Sequence, residues 1–294
     1  MKKALITGGA GFIGSNLVDS LIDKGWKVIV IDNLSSKSHE QFYFNDRAIY
    51  HKYDIVDFDK IRPLFNGINY VFHLAAESRI QPAILNPTNT IRVNSIGTCN
   101  VLQAAREAKC DRVVYSSTSS AYGLKNPLPL KESMSKDCLN PYSISKVNGE
   151  ELCKMYTNLF GLKTITFRYF NVYGHRQCTK GQYAPVIGLF LKQKLEGKAM
   201  TVVGDGLQTR DYTNVKDVVN ANILATECEE GFGEVYNIGT GKSYSILDLC
   251  NLIGGEFKHI PERIGEGRFT QADNSKAKKI LKWEPKIKLE DYLK

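Results

Sequence analysis

The stretch Thr7-Gly8-Gly9-Ala10-Gly11-Phe12-Ile13-Gly14 lies between a short apolar run and a helix-like segment opening at Ser15-Asn16-Leu17-Val18. No other feature constrains the chain so strongly. Glycines between a strand and a helix permit a tight turn, bring backbone N–H groups against a phosphate and let the helix pack close on the strand, while the helix N-terminus favours the anion. Two registers fit, Gly9-x-Gly11-x-x-Gly14 and Gly8-x-x-Gly11-x-x-Gly14. A purely structural turn would show similar glycines, so context has to decide. The next apolar run, Val28-Ile29-Val30-Ile31, ends in Asp32, 18 residues after Gly14, where a carboxylate can hold adenosine ribose hydroxyls. That carboxylate would repel a 2′-phosphate, and no arginine follows it directly, so the expected cofactor is NAD rather than NADP.

The first two thirds of the chain continue in the same rhythm. Short β-branched runs at 3–7, 27–32, 49–53, 70–74, 112–116 and 163–170 alternate with amphipathic stretches that predict helices over 13–24, 83–109 and 141–160. Runs so continuously apolar suit parallel strands covered on both faces. The expected fold is therefore α/β, a Rossmann-like doubly wound parallel sheet. Beyond Asn171 the pattern loosens into glycine turns at Gly174, Gly181 and Gly204-Asp205-Gly206, where a smaller C-terminal substrate domain is expected. Residues 217–228 read as one more amphipathic helix and 235–239 as one more strand, so the chain is expected to re-enter the first domain. That assigns 1–170 plus about 213–239 to the nucleotide, and about 171–212 plus 240–294 to the substrate.

Composition serves mainly to exclude. With 43% hydrophobic and 24% charged residues among 294, a core can form without staples. Seven cysteines, an odd number with no Cys-x-x-Cys pair, read as reduced thiols used in packing. Five dispersed histidines show no metal-ligand spacing, and no metal is expected. A net charge of +8 without a run of like charges argues against nucleic acid and suits a small anionic substrate. The longest apolar runs are strand-length, short of the ~20 residues that span a bilayer, and glycines interrupt any signal-like stretch after Met1-Lys2-Lys3. No membrane partner and a cytoplasmic location are expected.

Pro141-Tyr142-Ser143-Ile144-Ser145-Lys146 puts Tyr142 and Lys146 four apart, on one face of a helix. Alone, Tyr-x-x-x-Lys is commonly a surface tyrosine over a lysine stem. Here it follows a nucleotide turn, and hydroxyls Ser116-Ser117-Thr118 stand at the end of the fifth expected strand, where the carboxyl ends of such strands line the ligand crevice. A tyrosine with a pKa near ~10 is a poor base at neutral pH, and an adjacent ammonium plus a cationic nicotinamide would lower that pKa by stabilising phenolate. Tyr142 is the expected base and Lys146 its activator.

Together, Thr7-Gly8-Gly9-Ala10-Gly11-Phe12-Ile13-Gly14, Asp32-Asn33, Asp54-Ile55, His73-Leu74-Ala75-Ala76, Ser116-Ser117-Thr118 and Tyr142-x-x-x-Lys146 resemble the extended short-chain dehydrogenase/reductase family over essentially the whole chain. Within it the resemblance runs to the UDP-glucose and UDP-N-acetylglucosamine 4-epimerases. It implies a tightly bound NAD lined by Gly8, Gly11, Phe12, Ile13, Gly14, Asp32, Asn33, Asp54, Ile55, Leu74, Ala75, Ala76 and Tyr169. Asp54 and Ile55 would hold the adenine end, Asn33 the ribose region, and Tyr142 and Lys146 the nicotinamide ribose. Thr118 falls where these epimerases carry a catalytic serine or threonine, which would hydrogen-bond the sugar O4 and share its proton with Tyr142. Nucleotide-sugar 4,6-dehydratases carry Asp-Glu next to that hydroxyl, and UDP-glucuronate decarboxylases a glutamate at the second of these positions. This chain has Ser119-Ser120, so the resemblance implies oxidation at C4 to a 4-keto sugar and return of the hydride to the other face.

At the substrate end the same resemblance places Asn171 on the diphosphate side, Arg210 on the pyrophosphate, Arg263 as a second phosphate arginine and Glu266 on the uridine ribose, where the family more often has Asp. Guanidinium suits that task because it pairs phosphate oxygens bidentately. Thr270, three residues before Asp273, falls beside the sugar C2 substituent. A bulky tyrosine there restricts these enzymes to UDP-glucose and UDP-galactose, and a small residue admits the N-acetyl forms. A UDP-sugar partner and a homodimer built on 83–109 and 141–160 are also implied. The rival readings are a UDP-glucuronate 4-epimerase, a 4-keto-sugar reductase and, in a different class, a catalytically silent NAD-binding regulator, which should have lost Tyr142 or Lys146.

Overall fold

Seven parallel strands make one sheet in the computed structural model, which describes every residue except 37–40, 180–183 and 266. They are β1 (Lys3–Thr7), β2 (Lys27–Ile31), β3 (Ile49–His51), β4 (Tyr70–His73), β5 (Arg112–Thr118), β6 (Thr164–Tyr169) and a late strand, Glu234–Ile238. Across the sheet they run β3-β2-β1-β4-β5-β6 and then Glu234–Ile238. The order reverses between β1 and β4, where Leu5 pairs with Val71 and Thr7 with His73. Strand ends on either side of such a reversal diverge and open a crevice.

Local sequence explains the elements. β5 and β6 are buried at every residue, which is why they read as unbroken β-branched and apolar runs. Helix α1 (Phe12–Asp23) buries Leu17, Val18, Leu21 and Ile22, a stripe at helical spacing that joins the core with Val28 and Val30. The helix Pro141–Phe160 begins with a capping box between Asn140 and Ser143, has proline at its start and ends at Gly161 in the left-handed conformation.

The single helix expected over 83–109 is broken into Ile80–Leu85, Pro87–Ile91, a π turn Arg92–Ile96 and Gly97–Glu107. Pro87 has no N–H to continue a helix, and Asn86 caps the new start by accepting from the Asn89 N–H. The helix expected over 217–228 is Val215–Leu224, because Asn214 caps it two residues earlier.

That helix packs on α1, and Glu234–Ile238 pairs with β6 with Val235 opposite Thr166. A separate core gathers Tyr173, Phe190, Met200, Tyr212, Leu249 and Ile253. Asp211 fastens this part. Its Oδ1 accepts from the N–H and hydroxyl of Thr240 at 2.8 and 2.7 Å, and Oδ2 from the N–H groups of Gly241 and Ala272 at 2.8 and 3.0 Å. Burial holds the Asp211 carboxyl above its ordinary value, although these bonds pull against that rise. They also fix Arg210 beside Thr270, whose N–H donates to the Thr209 carbonyl at 3.1 Å.

An ion pair between β6 and the helix Pro141–Phe160 is enclosed on both sides. Arg168 on β6 and Glu150 on Pro141–Phe160 are each 1% exposed, with Nε donating to Oε1 at 2.8 Å and Nη2 to Oε2 at 2.6 Å. Removing one partner of such a pair strands the other charge and costs about 3–5 kcal/mol. Arg168→Met should therefore lower unfolding stability by that amount in a urea titration followed by circular dichroism. A loss below about 1 kcal/mol, the scale of an exposed pair, would show that Glu150 finds other partners.

Candidate active site

The crevice at the strand reversal is a cleft of about 490 Å³. Gly8 has φ +72°, and a Cβ on it would lie 2.7 Å from the Ala75 nitrogen. A Cβ on Gly14 would lie 2.1 Å from the Gly8 oxygen. Gly9 packs away from the cleft, its Cβ position 2.6 Å from a Val30 methyl, so Gly8-x-x-Gly11-x-x-Gly14 is the register that faces the cleft, together with Phe12 and Ile13. Gly11 stands at the N-cap of α1 and supplies no side-chain cap, which leaves that helix end suited to an anion.

Asp32 stands at the end of β2, its Oδ2 accepting from the Ala10 N–H at 3.0 Å and Oδ1 from the Leu34 N–H at 2.9 Å. Burial pushes its carboxyl up and those two bonds pull it down. Asn33 donates to Asp54 at 3.2 Å. Asn100 donates to the carbonyls of Ile55 and Val56 at 3.1 and 3.0 Å, holding the turn that presents Asp54 and Ile55. Leu74, Ala75 and Ala76 form the wall after β4. A cradle that a Cβ would fill, a helix start and a carboxylate at the next strand end fit a dinucleotide.

The hydroxyls at the end of β5 divide their work. Ser116 donates to the Tyr169 hydroxyl at 3.2 Å and Ser117 to Glu150 Oε1 at 2.6 Å. Thr118 Oγ1 accepts from the Ser120 N–H and donates to Ser120 Oγ, both at 3.1 Å, and it lines the cleft together with Tyr142. Burial pushes the enclosed Tyr142 phenol up, while the Thr118 hydroxyl and the charge of Arg79 pull it down. Lys146, 3% exposed, sets its ammonium 4.3 Å from the centre of the Tyr115 ring, a cation–π contact. Burial lowers the Lys146 pKa to about 7, against the opposing pull of Cys153 and Glu150.

Arg79, which the sequence reading did not single out, adds its charge to the surroundings of Tyr142. Its only sequence signal was its place in Glu77-Ser78-Arg79, directly after β4. Asn94 was missed as well. It donates to the Glu77 carbonyl at 3.0 Å and to Ser145 Oγ at 2.9 Å, and accepts from the Glu77 N–H at 2.8 Å. It pins the loop before Arg79 to the helix of Tyr142. Asn94 lies in the π turn, a break in helical register frequent at functional sites.

Across the cleft stand Tyr169, Asn171, Arg210, Arg263 and Thr270. The Tyr169 hydroxyl donates to Asn222 at 3.1 Å. Asn171, at φ +25°, donates to the Asp211 carbonyl at 3.2 Å. Arg210 donates to the carbonyls of Thr209 and Arg268, both at 2.9 Å, and Thr270 Oγ1 accepts from the Asp211 N–H at 3.3 Å. Gln81 and Asn140 hold the loop of Arg263 by donating to the carbonyls of Ile264 and Gly265 at 2.9 and 2.8 Å. Ser119 and Ser120 also line the cleft. Glu266 lies outside the described residues. Every other site residue named from the sequence lines this one cleft.

The model of the NAD dependent epimerase/dehydratase family matches residues 4–239. The chain belongs to that family. A UDP-glucose 4-epimerase of Mycolicibacterium smegmatis is 37% identical across 98% of this chain and 95% of the relative. The structure of a Thermotoga maritima UDP-glucose 4-epimerase with UDP-glucose has a TM-score of 0.94 at 37% identity, covering 99% of this chain and 96% of that one. A Methanobrevibacter ruminantium UDP-N-acetylglucosamine 4-epimerase in complex with UDP-N-acetylmuramic acid reaches 0.93 at 34% identity, with 99% and 96% covered. Membership accounts for the Rossmann-like sheet with its smaller C-terminal part. Among the described residues no helix is long and apolar enough to cross a membrane.

His73 ties the two halves of the crevice together. Its Nδ1 shares a hydrogen bond with Thr7 Oγ1 at 2.7 Å and its Nε2 one with Thr98 Oγ1 at 2.9 Å. Burial, helped by the charge of Lys146, lowers its pKa to about 3. The folded ring therefore stays neutral while the unfolded ring takes a proton near ~6.5. Stability should fall as the pH drops from about 6.5 towards 3, at up to ~1.4 kcal/mol per pH unit from this one group. His73→Gln should flatten that decline in denaturant titrations repeated across the range, and an unchanged slope would assign it to other groups.

Proposed function

We propose that the chain catalyses NAD-dependent 4-epimerisation of a UDP-hexose, acting on UDP-N-acetylglucosamine and UDP-N-acetylgalactosamine as well as UDP-glucose and UDP-galactose. The observation that carries this reading is that Tyr142, Lys146 and Thr118 line the same cleft as the glycine turn and Asp32. Gly8, Gly11, Gly14, Asp32, Asn33, Asp54 and Ile55 would hold the NAD, and Tyr142 and Lys146 its nicotinamide ribose. Bound NAD supplies the acceptor and donor of the C4 hydride and ends unchanged, so it can stay bound. Tyr142 takes the O4 proton as base and returns it as acid, with Thr118 orienting O4 and sharing the proton. The charges of Lys146 and Arg79 favour the phenolate. With serines at positions 119 and 120, no carboxyl stands there to move water between C5 and C6.

Arg210 and Arg263 would grip the diphosphate from the part formed by 171–212 and 240–294, with NAD on 1–170 plus 213–239. The same reading implies a homodimer in the cytoplasm. Exposed Ile144, Met155 and Leu159 share one face of Pro141–Phe160, an apolar set suited to a second copy.

Denaturing the purified protein should release NAD, and UDP-hexoses should be epimerised without added cofactor. Recovery of NADP instead would overturn the role of Asp32. Tyr142→Phe should lower turnover by roughly 10²-fold or more, the scale of lost general base catalysis, with little loss of UDP-sugar affinity. Near-wild-type turnover in that variant would remove Tyr142 from the mechanism.

Thr270→Tyr should abolish activity on the N-acetyl sugars and spare UDP-glucose, because overfilling a pocket costs about 1–3 kcal/mol. Equal losses on both would place C2 elsewhere.

A further inference from the structure

Tyr142, Lys146 and Glu150 follow one another four residues apart on the helix Pro141–Phe160, so they share one face. Tyr142 and Lys146 line the cleft, and Glu150 lies one turn further along, buried. Three donors converge on its carboxylate. Oε1 accepts from the Ser117 hydroxyl at 2.6 Å and from Arg168 Nε at 2.8 Å, and Oε2 from Arg168 Nη2 at 2.6 Å. Ser117 and Arg168 stand opposite each other on β5 and β6, and the next opposed pair, Thr118 and Tyr169, lines the cleft. Tyr115 faces the same side of β5 as Ser117. Its hydroxyl donates to the Lys146 carbonyl at 3.2 Å, and a Cβ on Gly149 would lie 2.2 Å from that hydroxyl. Strand and helix are thus held at two neighbouring points, Gly149 and Glu150, with no room between them at the first.

A buried ion pair is a poor device for stability alone, because apolar side chains of the same volume do as well or better. What it fixes is geometry, since its partners must meet at hydrogen-bond distance and angle. Here the geometry concerns the proposed base. Thr118 belongs to β5 and Tyr142 to the helix, so their separation depends on how those two elements are set against each other. Tyr115 fixes the approach at one point, around which the helix could still rock. The Ser117–Glu150 bond supplies a second point, next to Thr118 in the chain, and Arg168 keeps the carboxylate facing Ser117. We propose that Glu150 is a positioning residue, which sets the helix of Tyr142 and Lys146 against the end of β5 through Ser117 and so aligns Tyr142 with Thr118 on the sugar O4. This rests on the 4-epimerase reading. Misplacing a reacting group by about 1 Å costs on the order of 10²-fold in rate, so the tie bears on turnover far more than on binding.

Steady-state kinetics on the holoenzyme with UDP-galactose and UDP-N-acetylgalactosamine test the tie. Ser117→Ala removes it and leaves the ion pair whole. This variant should lose about 10-fold or more in kcat, with KM within about 2-fold of wild type, because only alignment is lost. Glu150→Gln breaks the same tie, so adding Ser117→Ala to it should cost less than about 2-fold more. Amide exchange read by mass spectrometry should quicken over 141–149 in Ser117→Ala and stay unchanged over β1. A kcat within about 2-fold of wild type, a rise in KM that accounts for the loss, losses that multiply in the double variant, or unchanged exchange over 141–149 overturns the assignment of Glu150 and leaves the epimerase reading standing. Where Glu150→Gln does not fold, the kinetics and exchange of Ser117→Ala decide. A wild type that turns over no UDP-sugar overturns the epimerase reading instead, and exchange over 141–149 then decides the tie.

Discussion

The close approach of the β1 and β4 strand ends is the constraint on which the rest of this molecule depends. Two parallel strands lie side by side there without a covering side chain, because Gly8 leaves the Ala75 backbone the space a Cβ would take. His73 and Thr7 stitch the ends together, and Thr7 Oγ1 also takes the Ala75 N–H at 3.2 Å. Thr7 and His73 are polar and buried, so their hydrogen-bonding groups must be satisfied internally. The outcome is a rigid crevice floor whose backbone lies open to a ligand. That same floor sets where β4 hands over to the loop of Glu77 and Arg79, and so where charge is delivered to the cleft.

Around Tyr142 two opposing effects meet. Enclosure favours the neutral phenol, as it would any ionisable group taken out of water. Against it act the Thr118 hydroxyl and the Arg79 charge, the one from the end of β5 and the other from the loop after β4. Lys146 is one helical turn from Tyr142, yet its own burial weakens its hold on a proton. Side chains on three separate elements thus converge on one phenol, and Asn94 binds two of those elements together through Glu77 and Ser145.

The substrate side is organised by a different device. Asp211 collects four hydrogen bonds from Thr240, Gly241 and Ala272, segments distant in sequence that no long helix or wide sheet holds together. Hydrogen bonds to a charged group are worth more than neutral ones, which suits a small core of irregular segments. Arg210 and Thr270 flank this knot, so the positions proposed to read the diphosphate and the sugar C2 share one anchor.

Much of this was legible in the chain itself. The glycine turn, the β-branched runs and Asp32 are local signals whose backbone and burial requirements few other residues meet, and Tyr142 with Lys146 declares itself by helical spacing. Proline at position 87 and the polar Asn94 were visible, but a break in one helix reads in sequence as a weak spot within a longer amphipathic pattern, and only packing against Pro141–Phe160 turns it into a π turn. The choice between glycine registers needed Val30, which fills the space beside Gly9. Arg79 could not be singled out among 39 basic residues, because an unpaired Nε is a property of three-dimensional surroundings. The sequence by itself determined the α/β rhythm, the nucleotide turn and the proposed base. Tertiary structure alone decided which charges surround that base, since Coulombic and desolvation effects depend on distances between residues that lie far apart along the chain.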